Sequence, residues 1–566
     1  MLGLSIRAAG VNGPRARAHW RPRAPHVGGV DGRGGGGGRC TRYALGAFDD
    51  GDSDGGRGAR AERLRALALG SACAGAAVVA ADRAVLPAIR IVYVWILISP
   101  VLAAYALELA SARARRLPAA ERARRLGRLH ARLAPRVLAV INCVQGGYVK
   151  VGQVFSNRRD VLPPAYVSEL STLQDRVTPR PWRQVRRTIE RSLRAPLAAH
   201  FSNVDAEPIG CASVAQVHRA TLASTRELVV IKVQHARARR LFAIDLANIE
   251  LLAKLVLPPL APVVSEIRSR QATEFDFARE ARSLDTIGAS MRARFGESRL
   301  VVPRPIGALS SERVLVMQYL PGPTLAAQLA ADVRGAVGER VFARWSAAAR
   351  GDADDGPALR AVDRVRIAAA APHLWRIRRV VRARLLLLGA AHGEQIFVDG
   401  RFNGDPHGGN VLVTTRGRLG LIDYGQVREL TVEQRANLCR LVLALSDPHA
   451  SAAHVASLFR AMGFRSRDGS EELAARLARI MYDADEACGR PPSAVLRELA
   501  GLDAIQSFPL EYVMAARVSL LLRGLGLAFG VRVQTARLWR PYAERGLRQV
   551  VMAQAQGQGA PSNPLR

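Results

Sequence analysis

A chain of 566 residues, 49% hydrophobic and 23% charged, is long and apolar enough for two or three domains with sizeable cores, which excludes a wholly disordered or fibrous protein. Lys and Arg number 82 against 48 Asp and Glu, a formal charge of +34 that suits an anionic partner such as a nucleotide or phospholipid, although a compositional arginine bias explains it equally well. Nucleic acid is not expected: platforms for it interleave aromatic with basic residues, and no stretch here does so. Six cysteines (Cys40, Cys73, Cys143, Cys211, Cys439 and Cys488) are scattered singly, which argues against a zinc site or a redox dithiol and for a reducing compartment.

Residues 1–60 read as a basic targeting segment and linker. Eight arginines and one acid, Asp31, occupy residues 1–42 around the glycine tract 34–38, a pattern shared by organellar transit segments and by disordered basic tails. Residues 61–118 turn apolar. The run 91–107 is just long enough to span a bilayer, with Tyr93, Trp95 and Tyr105 at interfacial spacing and Arg113, Arg115 and Arg116 as a basic flank. A helix buried on the main domain, or lying on a membrane surface, fits the same residues. Residues 119–200 carry Arg, Leu and Ala at helical spacing. The strand-like runs come later, at 228–233 and 314–320, and helical patterning returns after Gly425. Residues 351–356 form an exposed loop within a longer helical insert near 326–388, and 551–566 read as a disordered polar tail.

The chemistry concentrates in two short segments, Asp405-Pro406-His407-Gly408-Gly409-Asn410 and Leu421-Ile422-Asp423-Tyr424-Gly425. A carboxylate, an amide a few residues on, and a second carboxylate before an aromatic and a glycine reproduce the order of a phosphoryl-transfer centre. Asp405 would accept or orient a hydroxyl proton, and Asn410 and Asp423 would offer hard oxygen ligands to magnesium. The stretches 410–413 and 419–422 read as two strands about a polar turn, which brings Asn410 and Asp423 together. Upstream, Lys232 closes an apolar strand where a lysine can reach nucleotide phosphates. A turn segment, 210–218, precedes it, and downstream the stretch from Glu274 to Glu280 follows a helical region, so that one of its glutamates can pair with the lysine.

With these residues assembled, the chain resembles the UbiB-like atypical kinase family, also called aarF-domain-containing kinases, from about residue 129 to 549. The family's Lys-x-Gly-Gln element is similar to Lys150-Val151-Gly152-Gln153, its alanine-rich loop to residues 210–218, its Glu-x-Asp element to Glu274-Phe275-Asp276, and its C-terminal helix to residues 540–545. The resemblance implies an α+β, two-lobed, protein-kinase-like fold with an N-terminal helical extension (119–200), an N-lobe (201–322) and a mostly helical C-lobe (323–550). It implies ATP and Mg2+ in the cleft, with Asp405, Lys232 and Glu280 catalytic and Asn410 and Asp423 on the metal. Gly210, Cys211, Ala212, Ser213, Val214, Lys232, Gln318 and Leu320 would line the nucleotide. Lys150 and Gln153 would face Glu274 and Asp276 as an occluding element that excludes a peptide substrate. The expected activity is therefore that of an atypical kinase or ATPase. It would support isoprenoid-quinone or other lipid metabolism at a mitochondrial or plastid membrane, with a membrane lipid or prenyl-lipid intermediate, and a lipid-biosynthetic protein complex, as partners.

The chain also departs from the family. Asn403 stands where a histidine usually precedes the catalytic aspartate and cannot supply that ring's packing or proton; Gly408 replaces a proline and Tyr424 a phenylalanine, and Gly210 and Cys211 replace alanines. Glycine at 210 is expected to loosen the backbone over the phosphates. A pseudokinase scaffold for a lipid-biosynthetic complex is the alternative reading.

Overall fold

The computed structural model describes residues 87–156, 162–174, 179–256, 264–265, 268, 275–350, 360–404, 408–483, 492–528 and 530–555. The expectations for the basic segment 1–60, for Glu274 and Asp405, and for the end of the tail lie outside those residues.

The described part is mixed α+β. In chain order the first strands are β1 (Phe201–Val204), β2 (Gly210–Cys211), β3 (Ala215–Leu222), β4 (Leu228–Gln234), β5 (Leu300–Val301) and β6 (Val314–Gln318). One sheet runs β1-β3-β4-β6, antiparallel throughout, with β2 paired to β3. The β-branched run in β4 explains its central place, because side chains alternate and both faces are covered. Val229, Ile231 and Val233 pack with Val185 and Ile189 of the helix Trp182–Leu193, whereas Val230 shares a core with Phe277 and Leu284 of the helix Phe277–Phe295. By the same alternation Lys232 lies on the Val230 face. The sheet differs from the sequence reading in one respect: only residues 212–214 form the turn expected over 210–218, because Ala215 to His218 pair in register with β4, Ala215 opposite Gln234 and Val217 opposite Lys232.

The helix Phe277–Phe295 begins where the Asp276 carboxylate accepts the Arg279 N–H at 2.9 Å. Its buried residues, Phe277, Glu280, Ala281, Leu284, Ile287 and Met291, recur at helical spacing, so Glu280 is carried on an otherwise apolar face turned toward the sheet. The other end of this helix is tied down by Ser290, which donates to Asp399 at 2.7 Å, and by Arg294, which reaches both Asp399 and the buried Glu394.

Four further short strands, β7 (Arg401–Asn403), β8 (Val411–Val413), β9 (Leu419–Leu421) and β10 (Val427–Glu429), build the region below. β7 pairs with β10, and a second sheet runs β5-β9-β8. Helices fill the remainder. The helix Thr535–Ala555 buries Trp539, whose indole donates to the Gly389 carbonyl at 3.0 Å, and Arg545 reaches Glu394 from the same helix. The insert consists of helices Leu325–Val337, Glu339–Arg350, Ala361–Ala369 and Ala371–Gly393.

Asp503 shows how a buried carboxylate organises a loop in this half. It accepts the N–H groups of Asp468, Ser470 and Ala504 at 2.7–3.1 Å beside the pair β11 (Arg465–Ser466) and β12 (Ile505–Ser507). Burial pushes its carboxyl upward, but hydrogen bonds from Ser466 and from those amides outweigh burial and hold it well below the ordinary range. Its stabilisation is therefore present above the unfolded pKa of about 4 and is lost as pH falls through the folded value. Thermal melts between neutral pH and pH 3 should show a steep acid-side loss in the native chain and a shallower one in Asp503→Asn; parallel curves would refute this account.

N-terminally, Gly147 donates to Asp245 at 2.8 Å, and Asn248 donates to Tyr148 at 2.7 Å, which packs the helix Gly147–Phe155 on the helix Ala238–Val256. The helix Pro87–Ala114 spans 28 residues at a mean hydropathy of 1.9 and is long and apolar enough to cross a membrane.

Candidate nucleotide and metal site

Lys232, Glu280 and Asp423 meet although 48 and 191 residues of chain separate the lysine from the two acids. The Lys232 ammonium donates to both Glu280 oxygens, at 2.8 and 2.9 Å, and to Asp423 Oδ1 at 3.3 Å, with the Phe277 ring 5.1 Å away. Burial alone would lower the lysine's pKa; the charges of Asp423 and Glu280 outweigh it, so the ammonium is held above its ordinary range. Burial pushes the Glu280 carboxyl up against the pull of Lys232. Lys232 holds the Asp423 carboxyl below its ordinary range, and Lys150 adds a smaller pull from the helix Gly147–Phe155.

Asp423 sits at φ +69°, a left-handed conformation that costs an L-residue about 1–2 kcal/mol and here turns the carboxylate toward Lys232. Two contacts hold this backbone. The Gly425 N–H donates to Asp423 Oδ1 at 3.2 Å, and the Asn403 amide donates to the Asp423 carbonyl at 2.9 Å. Asn403, buried at the end of β7, cannot pack as the absent histidine's ring would, but through the latter bond it anchors the backbone at Asp423. Its own N–H donates to Gln395, which also donates to the Tyr424 hydroxyl at 3.4 Å. His392 lies behind this network, facing a void of about 10 Å³ shared with Asn403, Asn410 and Tyr424. Burial pushes the His392 pKa down to about 4; Gln395 approaches the ring without completing a hydrogen bond.

Asn410 follows from the hairpin. β8 and β9 pair from Val411–Leu421 to Val413–Leu419, and the Ile422 N–H donates to the Asn410 carbonyl at 3.0 Å, so Asn410 and Asp423 begin and end the same tight ladder. A hard divalent cation suits the chemistry of these donors: an ionised, partly exposed carboxylate, with only Oδ1 hydrogen-bonded among the described residues, and an amide residue at the other end of the same ladder. Among the described residues no cluster of three or more His, Cys, Asp or Glu that could hold a metal ion occurs, here or elsewhere.

The residues expected to line a nucleotide lie on β2, on β6 and in the segments that follow them; β6 pairs with β4. Gln318 ends β6, and the Tyr319 N–H donates to the Leu228 carbonyl at 3.1 Å. Leu320 packs in one apolar cluster with Leu412 and Ile422. Ala212, Ser213 and Val214 form the turn between β2 and β3, closed by the Ala212 N–H on the Ala215 carbonyl at 2.8 Å. Burial pushes the Cys211 thiol up to about 11, so it stays protonated. Gly210 lies paired in β2, its φ is not positive, and a Cβ there would meet open space, so an alanine would fit the same backbone.

Of the occluding element, Gln153 donates to the Leu173 carbonyl at 2.9 Å, and Asp276 serves as the helix cap, 4.0 Å from Arg282. Sequence reasoning missed the Asn403–Asp423 bond and the pull of Lys150 on the Asp423 carboxyl. The signal for the first was present, since Asn403 lies two residues before Asp405 and an amide can donate where a ring nitrogen would.

The model of the ABC1 atypical kinase-like domain matches residues 172–349 and 380–456. AarF domain-containing protein kinase 1 of Xenopus tropicalis is 30% identical over 327 residues, 56% of this chain and 54% of its own length. Protein ACTIVITY OF BC1 COMPLEX KINASE 7, chloroplastic, of Arabidopsis thaliana is 25% identical over 412 residues, 70% of this chain and 52% of its own. Uncharacterized protein slr0889 of Synechocystis is 28% identical over 323 residues, covering 55% of this chain and 70% of its own length. The chain thus spans about half the length of the animal and plant relatives.

Proposed function

We infer that this chain, which belongs to the ABC1 atypical kinase-like family, binds ATP with magnesium and turns it over as an atypical kinase or ATPase in isoprenoid-quinone or other lipid metabolism at an organellar membrane. One observation carries the reading: Lys232 is held between Glu280 and Asp423 at 2.8 and 3.3 Å, so a cation is fixed beside a candidate metal carboxylate. Bound magnesium, held through Asn410 and Asp423, would offset charge on the phosphates. Lys232, oriented by Glu280, does the same from the sheet side, at little reorganisation cost because the pair is already formed. Asp405 would orient a water or hydroxyl for in-line attack. Lys150, from the helix Gly147–Phe155, adds a smaller positive pull on Asp423; the preference for a small-molecule or lipid acceptor over a peptide rests on the family resemblance of its Lys-x-Gly-Gln element. The organellar part rests on the chloroplastic relatives and on the helix Pro87–Ala114.

The pseudokinase reading drew on the missing histidine, and the Asn403 anchor weakens that argument. ATP turnover by the purified chain decides between them. We expect magnesium-dependent turnover that falls by roughly a hundredfold or more in Asp423→Asn; equal, negligible turnover in both proteins would favour the scaffold.

A further inference from the structure

The two blocks matched by the family are interrupted at residues 350–379, and this interruption carries surface chemistry that the nucleotide site does not use. Residues 360–386, which run from this interruption into the start of the second matched block, contain eight arginines and one acid, Asp363, which is buried on Arg344 at 2.7 Å. The segment is therefore far more basic than the chain as a whole. Among the described residues none of Arg364, Arg366, Arg376, Arg378, Arg379 and Arg382 pairs with an acid, and all six are exposed.

Apolar residues stand among them. Val365 is 66% exposed and Trp375 62%, with Val362, Val380 and Leu386 also exposed. The helix Ala371–Gly393 is held to the core by Val381, Leu385 and Leu388, so its other side faces out. Positions 375, 379, 382 and 386 follow helical spacing and place Trp375, Arg379, Arg382 and Leu386 on one outward stripe. Arg379 lies 5.8 Å from the Trp375 ring. Water is a poor solvent for such a stripe, and a neighbouring copy of the same stripe would be repelled. A nucleic acid would use the arginines but has no need of Val362, Val365 and Leu386. An anionic phospholipid surface satisfies both: phosphates take the guanidinium groups, and the tryptophan and aliphatic side chains enter the headgroup region.

We propose that the helices Ala361–Ala369 and Ala371–Gly393 form a docking surface for anionic phospholipid, which brings the nucleotide site to a membrane interface. This deepens the membrane part of the reading above and does not depend on ATP turnover. The test is partition of the full-length chain between buffer and vesicles of phosphatidylcholine, alone or with phosphatidylglycerol added. The native chain should favour the anionic vesicles, and the preference should fall by about fivefold per arginine neutralised, about 1 kcal/mol each. Arg379→Glu with Arg382→Glu should remove roughly twenty-five-fold or more, and Trp375→Ala should weaken anionic binding while leaving its salt dependence. The helix Pro87–Ala114 is untouched in these variants and contributes equally throughout. Equal partition of the native chain into both vesicles, or an anionic preference unchanged by the double reversal, would overturn the proposal. So would binding of a short DNA duplex that competes with vesicles and is lost in the same variant. Magnesium-ATP binding, measured on the same preparations, separates the two readings: it should be unaffected by the reversals, and its absence would leave the vesicle result standing.

Discussion

Glu280→Ala should destabilise the chain by roughly 3 kcal/mol and weaken ATP binding in the same protein. Glu280 is 2% exposed, and both its oxygens accept from Lys232. Deleting the carboxylate leaves a buried ammonium with Asp423 alone as partner, 3.3 Å away, and opens a gap beside Phe277. Lys232 would then move onto Asp423 and compete with the metal for the same oxygens. Glu280→Gln keeps the volume and one acceptor, so its cost should be smaller. Denaturant unfolding of the three proteins checks the order; a loss below about 1 kcal/mol in Glu280→Ala would show that the pair does not hold the lysine.

Gly322→Ala should cost about 2–4 kcal/mol, for reasons of backbone rather than charge. Gly322 lies in the segment 319–324 that links β6 to the helix Leu325–Val337 and sits at φ +146°. A Cβ there would lie 2.1 Å from the Val413 carbonyl oxygen and 2.9 Å from Thr414 Cα, both backbone atoms of the β8 end. Two hydrogen bonds fix the approach, from the Val413 N–H to the Pro323 carbonyl at 2.9 Å and from the Thr415 N–H to the Pro321 carbonyl at 3.1 Å. Accommodating a methyl group means breaking that junction, which also positions Leu320 against Leu412 and Ile422. Gly417→Ala is the control. It has a φ of +75° in the β8–β9 turn but no atom within 4 Å of the added Cβ, so it should cost only about 1 kcal/mol. Equal melting temperatures for the two variants would contradict the steric argument.

Much of this site was legible in the sequence because its parts obey local rules. A β-branched run ending in Lys232 reads as a buried strand, and two apolar runs about residues 414–418 read as a hairpin that joins Asn410 to Asp423. Glu280 was legible only through resemblance, since nothing in a helical pattern says that its one acidic position turns inward. The limits of the turn at 210–218 were misread because pairing with β4 decides them: Ala215, Gln216 and Val217 have no strong strand preference, yet each finds a partner in register. The hydrogen bond that Asn403 makes across 20 residues of chain was not read from the sequence, because the substitution was judged by the ring it lacks. The basic face of residues 360–386 could be seen as composition, but its exposure depends on which side of the helix Ala371–Gly393 the core takes.

The central claim is that Lys232, Asn410 and Asp423 form a magnesium-dependent ATP site. It is tested most directly by calorimetric titration of the purified full-length chain with ATP, once in saturating magnesium and once in excess chelator. The account predicts binding at least about tenfold tighter with the metal, because phosphate charge otherwise meets the Asp423 carboxylate unscreened. The same affinity under both conditions, or no binding in either, would contradict it.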